Sequence, residues 1–409
     1  MNTRMRSWPT VLFVLLLAGC PSGGGDSNIM LSSGPTFTRF VYVANNGSGT
    51  LSIYGADATT GALSAISGAA SVGSGPQSVT VDPTGRFVYV TNKTASTISL
   101  FTIAPLTGFL APGTGLSSGV SQPTALAVDP TGRFAYVANA NANTVSALSI
   151  DQNTGVLAAL TGVGAPYSIG VTQSGVAVDP MGRFVYVTSV NGVSVFSIDQ
   201  STGGLAAVSG SPFTAGSNPS AVAVDPMGRF LYVTNASGVA VFTVDQSTGG
   251  LTSVTCAACG VGAGVTHVTV DPTGRFAYVV INVGTSNVLA FTIDQVTGAL
   301  LAVSGSPYSA GTFASSVSVD PSGRFLYVTN QASNNVSVFA IHETTGALTA
   351  GAPISAGTTP VSVAIVNPRQ RFVYAANNSS NTVSPFTIHQ DTGALTAGTA
   401  VTAGRTPAL

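Results

Sequence analysis

The chain has 409 residues, enough for several ordinary domains or one long repeat array. Apolar residues make up 44% and supply a large core, whereas charged residues make up 7%, against roughly 25% in a typical soluble protein. With a net charge of −1 and no basic stripe to neutralise phosphates, the composition excludes a nucleic-acid partner.

The first element is a targeting segment rather than part of the fold. Arg4 and Arg6 give a positive start, "VLFVLLL" (Val11 to Leu17) is a short apolar run, and "LAGC" (Leu17 to Cys20) closes it. The run is too short for a comfortable transmembrane helix. Small residues followed directly by cysteine resemble the lipobox of bacterial lipoproteins. That resemblance implies cleavage before Cys20 and lipidation of its thiol; a plain secretory signal with a chance cysteine is the alternative. Residues 1–20 are thus expected to be a signal, and 21–38, beginning "PSGGGDSN", a flexible tether. The expected location is the bacterial cell envelope, with the chain lipid-anchored to the membrane. Its place would be the periplasmic side of the outer membrane or the cell surface.

From residue 39 onward one unit repeats. Arg-Phe pairs stand at 39, 86, 133, 183, 229, 275, 324 and 371, at intervals of 47, 47, 50, 46, 46, 49 and 47. Each unit reads as four short strands, typified by "PQSVTVD" (Pro76 to Asp82), "RFVYVTN" (Arg86 to Asn92), "TISLFTI" (Thr97 to Ile103) and a fourth after "TGAL" (Thr297 to Leu300). β-Branched and aromatic residues fill the runs, Gly, Pro and Asn separate them, and no helical apolar period appears. Four strands per period of this length describe the blade of a β-propeller. The fold class is therefore all-β, with eight four-stranded blades favoured and seven as the alternative.

The phrase "DPTGRF" and its variants "DPMGRF" and "DPSGRF" mark the turn between strands one and two. Pro sets φ, Gly supplies a conformation that a β-carbon opposes, and the Asp carboxylate accepts bonds from the turn's own amides. Phe87 and Tyr89 point to one face of strand two and Val88 and Val90 to the other. Both faces are apolar because each blade lies between two neighbours. Only seven copies of strand one are complete. The eighth is expected from Ala403 to Leu409 or from Asn28 to Ser33, closing the ring and hiding its edges.

At "DPTGRFVYVTN" and "FTIDQVTGAL" (Phe291 to Leu300) the chain resembles the lactonase family of propellers, which includes 6-phosphogluconolactonase-like and carboxymuconate-cyclase-like proteins and overlaps the "YVTN" repeat proteins. The resemblance spans about residues 39 to 409 and implies a propeller, usually of seven blades. It also implies a lactone hydrolase or a carboxymuconate-type cycloisomerase, an activity that its scaffold motifs do not themselves carry.

A census of charges bears on that activity. Of 13 basic residues, eight are the repeat arginines and two lie in the signal; of 14 acids, six are the turn aspartates and five more share the turn before strand four. Few titratable groups are left for acid–base chemistry. His342 and His389 take that same outer-turn position. His267 differs: it lies in strand one, in "GVTHVTVDP", where Ser78 and Ala125 stand in other repeats. The family often carries His there, which makes His267 the candidate catalytic residue; a hydrogen-bonded strand histidine is the alternative. No Ser-His-Asp set accompanies it. Cys256 and Cys259 form a Cys-x-x-Cys in a loop, read as a local disulfide, since zinc needs four ligands and only His267 is nearby. No metal and no cofactor is expected.

The variable loops carry Asn45, Asn92, Asn139 and Asn330, with Tyr167, Phe213 and Tyr308 in "APYSIG", "SPFTAG" and "SPYSAG". Such a rim would bind a glycan or an envelope protein, the alternative being that Asn and Ser merely serve tight turns. The favoured reading is a lipid-anchored binding or scaffolding module, with the lactone hydrolase or cycloisomerase as its competitor.

Overall fold

The computed structural model describes residues 37–45, 50–57, 63–65, 70–103, 110–160, 166–170, 175–282, 286–319, 323–355, 360–364, 372–377, 382–388, 395–397 and 401–402, with side chains placed between 70 and 353. Cys20, the signal, nearly all of the tether and both candidates for the closing strand lie outside them.

The described strands form eight antiparallel sheets, one per repeat. Blade six is representative: Val265–Val270, Phe276–Ile281, Asn287–Ile293 and Leu300–Ala302 pair in sequence order. Strand four is more broken than the repeat suggests. In blade six Leu300–Ala302 covers one end of strand three, and Tyr308–Ser309 covers the other after a loop. Innermost strands of successive blades lie side by side, as Pro76–Val81 does with Pro123–Val128, and Val265–Val270 with Ala314–Val319. In the first blade Phe37–Asn45 neighbours both Pro76–Val81 of blade two and Phe372–Asn377 of blade eight, which brings the two ends of the array together.

Strand two explains the stacking. All six residues of Phe87–Asn92 are buried. Phe87 and Tyr89 pack with Ala135 and Val137 of blade three, while Val88 and Val90 pack with Ala70 and Val72 of blade one. The tyrosine hydroxyl spans the seam: Tyr89 donates to the Gly155 carbonyl at 2.9 Å, Tyr136 to Gly203 at 3.2 Å, Tyr232 to Gly298 at 3.1 Å and Tyr278 to Gly346 at 3.2 Å. Burial pushes these hydroxyls far above the ordinary tyrosine range, so they remain donors. Gly155 is required at its seam, because its φ is +73° and a β-carbon there would stand 2.4 Å from the Phe87 ring.

The turn between strands one and two is built by its aspartate. In blade two the Asp82 carboxylate accepts the amides of Arg86 and Phe87 at 2.7 Å each and that of Thr84 at 3.1 Å. The following arginine reaches the next blade: Arg183 donates to the Gln246 carbonyl at 3.1 Å, Arg229 to Gln295 at 3.2 Å and Arg275 to Glu343 at 2.7 Å. These turns sit at one end of the propeller, hereafter the turn end. The opposite, loop end carries the connections into strand one and those between strands two and three.

Candidate functional site

Charge is concentrated at the turn end and committed there. Asp82, Asp129, Asp179, Asp225 and Asp271 are buried within their turns. Asp151, Asp199, Asp245 and Asp294 accept hydrogen bonds in the turn before strand four, and these bonds hold their carboxyls below the usual range, that of Asp199 at about 2. His342 replaces such an aspartate and meets the Thr344 hydroxyl with its Nδ1 at 3.1 Å, so it acts as a turn residue. A cavity lined by Arg324, Phe325, His342 and Glu343 also lies at this end, remote from the innermost strands.

The loop end of blades six and seven is different. Between Gln246 and His342 every charged residue of the sequence belongs to a turn-end motif: Asp271, Arg275, Asp294, Asp320 and Arg324. The innermost strand of blade six carries a bulge where it leaves that end. Val265 pairs with Ile281 and His267 with Val280, leaving Thr266 as the extra residue. The Thr266 hydroxyl faces the carbonyls of Val280 in its own blade and Ala314 in the next, at 3.4 Å each. His267 follows directly. The corresponding residues of the other blades with described side chains are Ser78, Ala125, Gly175, Ala221 and Ser316, so the fold demands no imidazole there. Its Nδ1 is buried and has no hydrogen-bond partner among the described residues. Surrounding protein penalises the cation and lowers the imidazole pKa, so at pH 7 the ring is neutral. A neutral imidazole with an unused nitrogen can take a proton or hold a polar ligand.

The other expected site residues are not gathered at this point. Asn92, Asn139 and Asn330 are buried, and their amides tie strand two to strand three: Asn92 to Thr97 and Ser99 at 3.0 Å each, Asn139 to Thr144 at 3.2 Å and Ser146 at 2.9 Å, and Asn330 to Asn335 at 2.8 Å and Ser337 at 2.9 Å. They are corner residues, out of reach of a surface partner, which corrects their assignment to a binding rim. The Asn45 side chain lies outside the described residues.

Tyr167, Phe213 and Tyr308 occupy the outer, second piece of strand four and are half-buried. The Tyr167 hydroxyl accepts the Leu205 amide of the next blade at 2.7 Å, and its ring lies 5.6 Å from that of Phe196. Phe213 pairs with Val193 and packs on the blade-four core, and Tyr308 donates to the Ser304 carbonyl at 3.0 Å. These aromatics serve packing at the rim's outer margin. In blade five that margin is the Cys256–Cys259 loop, closed by a disulfide, with the Cys259 carbonyl accepting the Val239 amide at 3.0 Å. Among the described residues no three His, Cys, Asp or Glu side chains form a group that could hold a metal ion.

One loop-end residue escaped the sequence reading. Phe313, immediately before the innermost strand of blade seven, is 55% exposed. An alignment on the Asp-Pro turns would have shown it where Gly75, Gln122, Asn218 and Gly264 stand.

The family model described as "Lactonase, 7-bladed beta-propeller" matches residues 25–115, 75–172, 126–261 and 239–408, which together run almost the length of the propeller. The chain belongs to the lactonase family. Within it, this member forms eight sheets where the family's description counts seven blades. Among solved structures, a Bacteroides fragilis protein provisionally assigned as a 6-phosphogluconolactonase is 20% identical, with a TM-score of 0.62 over 79% of this chain and 96% of the other. The periplasmic gluconolactonase of Pseudomonas aeruginosa is 21% identical, with a TM-score of 0.61 over 80% of this chain and 98% of the other. A Bacteroides uniformis protein, also provisionally assigned as a 6-phosphogluconolactonase, is 18% identical, with a TM-score of 0.60 over 89% and 96%. At this level the likeness establishes the shared fold. No curated protein sequence matches the chain.

Proposed function

We propose that this lactonase-family propeller hydrolyses a neutral sugar lactone at the loop end of blades six and seven, with His267 as general base. The observation that carries the proposal is the unpartnered, neutral imidazole of His267 on an innermost strand, at a position where the fold is satisfied by Ser, Ala or Gly. The family's lactonase description and the gluconolactonase-type names of the similar structures support lactone chemistry over the binding or scaffolding role first favoured. Absence of charged residues from this end of blades six and seven favours an uncharged lactone over a phosphorylated one.

In this scheme His267 removes a proton from water as its oxygen adds to the lactone carbonyl. The tetrahedral intermediate then collapses, the ring C–O bond breaks, and the imidazolium returns its proton to the leaving ring oxygen, giving a hydroxy acid. A single positioned base contributes about 10²- to 10⁴-fold, and that is the acceleration expected over the uncatalysed hydrolysis of glucono-δ-lactone. His267→Ala and His267→Gln should each abolish it without lowering thermal stability. The rate should rise with pH through a midpoint below 6.5, because burial lowers the imidazole pKa. Hydrolysis by the wild type at the background rate, or undiminished hydrolysis by His267→Ala, would overturn the proposal.

The lipobox-like "LAGC" supports an extracytoplasmic, lipid-anchored protein joined to its membrane through Cys20, and the periplasmic origin of the Pseudomonas gluconolactonase agrees with that location. Mass spectrometry of the mature N-terminus decides it: an acylated Cys20 is expected, and an unmodified peptide reading through "LAGCPS" would refute the anchor.

A further inference from the structure

Phe313 is held in a conformation that its side chain disfavours. Its φ is +55°, in the left-handed region where a bulky aromatic is a genuine outlier. The backbone requirement is shared by the blades: the corresponding residues Gly75, Gln122, Asn218 and Gly264 have φ values of +67°, +47°, +51° and +85°. Gly and Asn tolerate that region; Phe does not. Nor does packing account for the ring, which is 55% exposed. The surrounding bonds nevertheless leave the backbone no choice. The Phe313 carbonyl accepts the Gln331 amide at 2.9 Å, the Thr312 carbonyl accepts the Ala332 amide at 3.2 Å, and the Ala314 amide donates to the buried Ser286 hydroxyl at 2.9 Å. Strain combined with exposure, at a place where four other blades use residues without an aromatic ring, points to a role in recognition.

The surroundings define what is recognised. Ala314, next to Phe313, has its carbonyl within 3.4 Å of the Thr266 hydroxyl, and Thr266 is next to His267. Phe313 and His267 are therefore each adjacent in the chain to one side of a single contact between neighbouring innermost strands. Thr312, next to Phe313 in the chain, and Ser333 bond one another through their hydroxyls at 2.6 Å, and between Gln246 and His342 the sequence places charge only in the turn-end motifs. An exposed aromatic face beside neutral hydroxyls matches a ligand with an apolar face and a hydroxylated edge. That is the surface of a pyranose-like ring.

We propose that Phe313 is the stacking platform for the sugar ring of the substrate, orienting its carbonyl toward His267. The proposal rests on the lactone-hydrolase reading for the reaction but not for the binding. A stacking contact of this kind is worth about three- to tenfold in affinity. With glucono-δ-lactone, Phe313→Gly and Phe313→Asn should raise KM by about that factor and leave kcat within about twofold, while Phe313→Tyr retains wild-type KM. Relief of the left-handed strain should raise the unfolding midpoint of Phe313→Gly by about one to three degrees. A merely structural Phe313 would instead lose stability and leave KM unchanged.

Titration of the neutral, non-hydrolysable gluconolactam by calorimetry separates the two proposals. Binding by the wild type, weakened in Phe313→Gly and kept in Phe313→Tyr, supports the platform even if no lactone is turned over. Unchanged affinity or KM in Phe313→Gly, or failure of the wild type to bind the lactam, would overturn it.

Discussion

Single side chains show how the repeat solves one problem in two ways. Where the turn reads "DPTG", the threonine hydroxyl occupies the second oxygen of the aspartate and receives the arginine Nε, at 3.0 Å for both Arg86 to Thr84 and Arg275 to Thr273. Where it reads "DPMG", methionine offers no hydroxyl and the arginine takes the carboxylate directly, Arg183 to Asp179 at 2.8 Å and Arg229 to Asp225 at 3.3 Å. Met181 and Met227 are left 66% and 64% exposed as a result. The exposed aspartates of the other turn carry a pH signature. Hydrogen bonds from Ser201 and Thr202 lower the Asp199 carboxyl from 3.8 to about 2. A depressed folded-state pKa means stability that is complete above the unfolded value near 3.8 and is lost as pH falls through about 2. The midpoint difference between wild type and Asp199→Asn should therefore be constant from neutral pH down to about 5 and shrink between about pH 4 and pH 2. Thermal melts across that range check it; a difference independent of pH would mean that the carboxylate's bonds add nothing.

Between elements, the seam is the unit of stability. Among the described residues, Phe87, Phe134, Phe184, Phe230 and Phe276 of strand two each abut a glycine of the next blade, and the glycine conformation and the ring contact can be tested apart. Gly85 and Gly155 have nearly equal φ, +71° and +73°, but a β-carbon on Gly85 meets nothing within 4 Å while one on Gly155 meets the Phe87 ring at 2.4 Å. Gly85→Ala should cost about 1–2 kcal/mol, the left-handed penalty alone. Gly155→Ala should cost about 2–5 kcal/mol, because overpacking of the seam adds to it. Denaturant titration of the two variants measures the difference, and equal losses would mean that the seam yields freely. Strand order, strand-two burial and the role of the Asp-Pro turn were legible in the sequence, since each depends on local alternation or turn chemistry repeated along the chain. The division of strand four was not. Its outer piece, such as Tyr308–Ser309, is only two residues long and pairs after a loop, which no periodicity reveals.

For the whole molecule the central question is closure. By the repeat, Phe325 and Tyr327 are the pair that faces blade eight, and both are buried. A chain ending at Ser355 would uncover that face as an apolar patch beyond what a monomer tolerates. Such a truncation should self-associate and bind a hydrophobic dye; a monomeric product with an unchanged melting temperature would place blade eight outside the ring. The eightfold repeat, the all-β class and the structural use of nearly every charge are determined by the sequence itself, because each is a local pattern that survives translation along the chain. Only the tertiary structure decided which polar residues are available. Asn92, Asn139 and Asn330 look like a binding rim when read in line, but the strand-three hydroxyls that consume their amides are set opposite them by sheet register. Conversely, Phe313 and His267 lie 46 positions apart in the chain. They become neighbours of a single contact because consecutive innermost strands lie side by side, one bonded to the next at Thr266 and Ala314.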